Sequence, residues 1–70
     1  MSKISKSNFQ FMPFGFGYYK VTYTSPAGRS RWVLSLPAVS LRDVLNVDKP
    51  KLVDLDALRW YIKRYGSKLY

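Results

Sequence analysis

Lys20, Thr22 and Thr24 recur at every second position, and Arg29 and Arg31 do the same a few residues later. That spacing puts such side chains on one side of an extended chain. Ammonium, guanidinium and hydroxyl groups so arranged hold oxyanions; they do not break bonds. The groups that do break bonds are scarce. There is no cysteine and no histidine, which removes thiolates, the commonest general base and the commonest metal ligand. Glutamate is absent as well, and the only acids are Asp43, Asp48, Asp54 and Asp56. Asp54 and Asp56 stand where a helix should begin, which accounts for both. The serines have no histidine to activate them. Gly15-Phe16-Gly17 is too short for a phosphate loop, and no Gly-Lys-Ser/Thr follows it. The expectation is a protein that is not an enzyme and has no cofactor and no metal site.

The charge points to the partner. Twelve Lys and Arg against four Asp give a formal net charge of +8. Residues 1–42 carry Lys3, Lys6, Lys20, Arg29, Arg31 and Arg42 without a single acid. All the acids fall between 43 and 56, and Arg59, Lys63, Arg64 and Lys68 follow. Such an imbalance implies a polyanionic partner, nucleic acid first and DNA before RNA, with a solubility surplus as the plainer explanation. The alternative from a different class is a small adaptor or inhibitor of the phage or mobile-element kind, binding an acidic protein surface. Anionic membrane comes third, because the chain lacks a long Lys-rich amphipathic helix. No apolar run approaches the ~18 residues of a membrane span. The N-terminus has no apolar signal core, so a cytoplasmic location is expected.

Three groups are candidates for contact. The first is Lys20, Thr22, Thr24, Arg29 and Arg31, whose cations would meet phosphates or fork onto guanine in a major groove. The second is Arg59, Lys63 and Arg64 beside Trp60, a basic stripe with an indole that could stack on an unpaired base. The third is Phe14, Phe16 and Tyr18, aromatics placed where the backbone must bend, as stacking or partner contacts. Against the last two stands ordinary core packing. That reading is preferred for Tyr61, while Trp60 is divided between core and surface.

These groups need elements to position them. Tyr18–Leu36 reads as a hairpin, with Tyr19, Val21 and Tyr23 sharing one side of the first strand and Trp32, Leu34 and Leu36 one side of the second. Ser25-Pro26-Ala27-Gly28 suits a type I turn with a bulge. Phe9–Met12 is a further short strand, stopped by Pro13, whose pairing partner the pattern leaves open. Ser40 and Asp43 resemble a capping box for a short helix over 40–46. Leu55, Leu58, Ile62 and Tyr65 follow the spacing of one helical face. Gly66 stands where a C′ glycine should, and Ser67–Tyr70 is a tail.

The predicted fold class is α+β: a three-stranded antiparallel β-meander packed against a C-terminal α-helix, with a short helix between. The predicted organisation is a flexible basic arm over 1–8 and a single small α+β domain over 9–70. Twelve aromatic residues (17%) are the means by which so short a chain builds a core. The stretches Gly17-Tyr18-Tyr19-Lys20-Val21-Thr22-Tyr23 and Gly28-Arg29-Ser30-Arg31-Trp32, followed by a helix, resemble the DNA-binding domains of AP2-type regulators and the arm-binding domains of some phage-type integrases. Those families insert the exposed sheet face into the major groove. The resemblance implies that Lys20, Arg29 and Arg31 would face DNA. It covers about half the chain and rests on topology, and the short helix at 40–46 departs from it.

Overall fold

The alternation in the two central runs does build paired strands. The computed structural model describes residues 4–70. Strands β1 (Phe9–Gly15), β2 (Tyr18–Thr24) and β3 (Arg31–Pro37) form an antiparallel meander, and a short strand β4 (Ser67–Lys68) extends it in the order β1-β2-β3-β4. The open question of the first strand is resolved: β1 pairs with β2, Phe9 opposite Tyr23 and Phe11 opposite Val21, and it does not stop at Pro13 but runs on to Gly15, because an edge strand tolerates a proline. After β3 a 3-10 turn (Ala38–Leu41) runs into a single helical turn, α1 (Arg42–Leu45), and then the main helix α2 (Leu52–Tyr65).

Register sets the core. One row across the sheet is Phe9, Tyr23 and Trp32; the next is Phe11, Val21 and Leu34. In the first row the ring centroids are 5.0 Å apart for Phe9–Tyr23 and 5.7 Å for Tyr23–Trp32. Leu55, Leu58 and Ile62 of α2 cover these rows, and Ile4, Leu41 and Val44 close one end. Each fully buried aliphatic or aromatic side chain contributes about 1.5–3 kcal/mol, and the aromatic pairs add about 0.5–1.5 kcal/mol each.

Several expectations are corrected at the ends of elements. The expected tail, Ser67–Tyr70, is a fourth strand position. Ser67 and Lys68 pair with Val33 and Trp32, Leu69 N–H donates to Arg31 O (2.7 Å), and Arg31 N–H donates to Tyr70 O (3.0 Å). The reason is that β3 would otherwise present an unpaired edge. Gly66 is not a left-handed cap. Its φ of −83° and ψ of 177° are extended, and its need is for space: a Cβ there would collide with the carbonyl oxygens of Ile62 and Val33. The Ser40–Asp43 capping box does not form, because Ser40 lies inside the 3-10 turn and the residue before α1 is Leu41. Tyr65 leaves the apolar helical face and is exposed. Asp54 sits in the first turn of α2, where its charge suits the N-terminal dipole.

The N-terminal segment also differs from an arm extending off the domain. Ile4 is buried, and Lys6 Nζ donates to the Leu45 and Val47 carbonyls at 3.0 and 2.9 Å. Those carbonyls lie at and just beyond the C-terminal end of α1, where partners are otherwise short. Residues 1–3 of the expected arm lie outside the described residues.

Both hairpin turns require positive φ. In the β2–β3 loop Gly28 (φ 75°) donates to Ser25 O at 2.8 Å, and Ser25 Oγ accepts from the Arg29 and Ser30 amides. The β1–β2 turn places Phe16 (φ 55°) and Gly17 (φ 77°) at its tip. Asn or Gly is the usual first residue of such a turn, since a left-handed conformation costs other residues about 1–2 kcal/mol.

Two stability outcomes follow. Gly66→Ala should lower stability by about 1–3 kcal/mol, read as a lower urea midpoint, because two backbone oxygens must move; an unchanged midpoint would show that the return to the sheet is looser than described. Phe16→Asn should raise stability by about 1 kcal/mol, and a lower melting temperature would mean that the ring is packed rather than free.

Candidate nucleic-acid interface

Alternation that buries Val21 and Tyr23 must turn the intervening residues outward. The outer face of the sheet therefore carries Gln10 and Met12 from β1, Lys20, Thr22 and Thr24 from β2, and Arg31, Val33 and Ser35 from β3. Lys20 lies opposite Met12 on one side and Ser35 on the other, and Thr24 lies opposite Arg31. Lys20 and Arg31 share this face, separated by about 13 Å along the strands. A shallow groove runs between them over Thr22 and Val33, with Gln10 and Leu69 on its flanks. Arg31 is held in place: its Nε donates to Thr24 Oγ1 at 3.1 Å, and its guanidinium lies 5.5 Å from the Tyr70 ring centroid. Lys20 is exposed.

Arg29 is placed differently from expectation. It belongs to the loop before β3 and is exposed at the end of the sheet, not on its face. The loop from Ser25 to Ser30 closes with a Ser25 N–H to Ser30 O bond of 2.9 Å. The ladder consequently begins only at Arg31, and Arg29 is spent on the turn. No acid occurs anywhere between Phe9 and Pro37, so the whole meander is free of negative side chains.

The second basic group lies on α2. Arg59 pairs with Asp56 one turn back, the one ion pair among the described residues. Lys63 Nζ is 5.0 Å from the Trp32 ring centroid, and Lys68 Nζ is 5.7 Å from the same ring, so the half-buried indole at the edge of the core carries two ammonium groups. Such contacts are worth about 0.5–2 kcal/mol each. Trp60 and Arg64 point to solvent. Because α2 covers the core side of the sheet, its solvent side faces away from Lys20 and Arg31. The two basic surfaces are thus on opposite sides of the molecule, a relation the sequence did not specify.

Tyr61 is the clearest departure from the expected core. It is 52% exposed, Trp60 57% and Tyr65 61%. The three rings touch: centroids are 5.6 Å apart for Trp60–Tyr61, 6.1 Å for Trp60–Tyr65 and 5.7 Å for Tyr61–Tyr65. A single helix on a single sheet buries one narrow stripe, and no further layer covers what lies beside it. Sequence spacing missed Tyr61 and Tyr65 as surface groups for different reasons: Tyr61 adjoins buried Ile62 and reads as a widened stripe, and Tyr65, three positions after Ile62, continues the apolar spacing itself. In and beside the β1–β2 turn Phe14, Phe16 and Tyr18 are exposed, Phe16 completely.

No family model, curated protein or solved structure matches this chain. Among the described residues no cluster of three or more potential metal ligands is present, and no helix is long and apolar enough to cross a membrane.

The placement of the helix tyrosines can be checked by stability alone. Tyr61→Ala and Tyr65→Ala should each cost no more than about 1 kcal/mol, the worth of exposed ring contacts, whereas Leu58→Ala should cost about 2–5 kcal/mol. A large loss at Tyr61 in chemical denaturation would return that ring to the core.

Proposed function

We propose that this protein binds nucleic acid without catalysing a reaction, with the outer face of the sheet as its principal contact. The observation that carries the reading is the open sheet face: Lys20 and Arg31 flank one groove on it, and no acidic side chain shares it. Lys20, Arg31 and the Thr22 hydroxyl would meet phosphates of one segment, with Arg29 reaching the same backbone from the loop at the sheet's end. DNA is favoured over RNA because a β-layer fits the wide major groove of B-form duplex, where Arg31 could fork onto guanine and Met12 or Val33 could touch a thymine methyl. The deep, narrow major groove of A-form RNA excludes such a layer. Arg59, Lys63 and Arg64 face the other way and would hold a different segment.

A second reading is supported by the sheet's free edge. β1 is the last strand on its side; Met12 and Phe14 are exposed along it, and Phe16 is exposed in the turn that follows. An extended segment of an acidic protein could add to that edge, as in strand-addition complexes. A small adaptor or inhibitor of the phage or mobile-element kind would act in this way.

Fluorescence anisotropy with a short labelled duplex across a salt series separates the two readings. Each neutralised phosphate contributes about −0.9 to the slope of log affinity against log salt. Lys20→Ala combined with Arg31→Ala should flatten that slope by about 2. An unchanged slope removes the sheet face from the proposal, and absence of binding at about 50 mM salt favours the acidic protein partner.

A further inference from the structure

The aromatic cluster on α2 lies beside a groove rich in cations. Trp60 stands nearly perpendicular to both tyrosines, at 89° to Tyr61 and 78° to Tyr65. The tyrosines therefore brace the indole from one side. On its other side a shallow groove runs along the helix, lined by Ala57, Arg59, Trp60, Lys63 and Arg64, with Asp56 already paired to Arg59. The exposed indole thus lines an open groove whose other polar groups are mainly cations. Arg64 also lies 6.0 Å from the Tyr65 ring centroid.

We infer that this groove is a stacking site for unpaired bases of single-stranded nucleic acid, separate from the sheet face. Trp60 would stack against a base, and Lys63 and Arg64 would take the flanking phosphates. Charge decides among possible occupants. A second copy of this chain docking by two-fold symmetry would bring Arg59, Lys63 and Arg64 against their own counterparts. An apolar partner would leave the same cations without compensation. A single strand supplies both a π-face for Trp60 and a negative backbone for the cations, and stacking of this kind is tolerant of sequence. The inference rests on the reading of a nucleic-acid partner but not on the sheet face, so the molecule would hold a duplex on one side and a single strand on the other.

The test uses the full chain with a fluorescein-labelled oligo(dT) and, separately, the labelled duplex. Trp60→Ala should weaken oligo(dT) binding roughly 10- to 100-fold, with duplex affinity and melting temperature unchanged. Trp60→Phe should retain most of the oligo(dT) affinity while abolishing the quenching of tryptophan emission that oligo(dT) causes in the wild type. Lys63→Ala with Arg64→Ala should flatten the oligo(dT) salt slope by about 1.4. The Lys20/Arg31 double variant should behave in the opposite way, losing duplex and keeping oligo(dT). Undiminished oligo(dT) binding by Trp60→Ala overturns the inference, as does affinity lost without any quenching in the wild type. Two other results also overturn it: a dimer that Trp60→Ala dissociates, or binding to phosphatidylserine vesicles that depends on Trp60. Duplex binding without oligo(dT) binding defeats this inference alone, whereas failure to bind either defeats the proposed function too.

Discussion

The seam between α2 and the sheet holds the structure together. Ile62 and Val21 are completely buried, Leu55 and Leu58 nearly so, and Tyr23 lies in the same cluster between Phe9 and Trp32. The described residues supply one helix of useful length and one sheet, so they supply one seam. A two-layer molecule has two outer surfaces by construction, here the far side of the sheet and the far side of the helix. Both candidate interfaces are consequences of that economy. Whatever the chain places on alternate positions of β1–β3, or on the back of α2, must face water or a partner.

The ends of the chain protect the seam. At the N-terminus Ile4 fills the end of the core, and Lys6 supplies donors to carbonyls at the end of α1. At the C-terminus the backbone passes so close to Ile62 and Val33 at Gly66 that only glycine fits, and the chain then lies along β3. This return also shapes the outer face. It brings Leu69 beside the groove and Tyr70 against the Arg31 guanidinium, a second hold on a side chain that also donates to Thr24 Oγ1.

The two surfaces differ in character because their elements differ. On the sheet, side chains are fixed by the ladder, and cations stand apart with hydroxyl and apolar groups between them. On the helix, neighbours three and four positions apart meet, so Trp60, Tyr61 and Tyr65 cluster and Arg59, Lys63 and Arg64 crowd beside them. The first arrangement is spread and regular; the second is compact and aromatic.

Much was legible in the residues themselves. Alternation from Tyr19 to Leu36 sufficed for the hairpin and for the outward direction of Lys20 and Arg31, because a strand has only two sides. The spacing of Leu55, Leu58 and Ile62 sufficed for the helix. What local pattern could not supply was distance along the chain. Ser67–Tyr70 has no strand signature of its own; it becomes one because β3 offers an unpaired edge that the turn at Gly66 brings within reach. Tyr61 and Tyr65 look like core until the width of the covering contact is known, and that width depends on how many layers pack, which no single segment encodes. Arg29 lost its place on the sheet face to the geometry of a turn. Composition and periodicity therefore determined which side chains turn outward within each element. The packing of one layer on another decided which of those outward sides remained open, since burial is a property of two surfaces meeting and not of either alone.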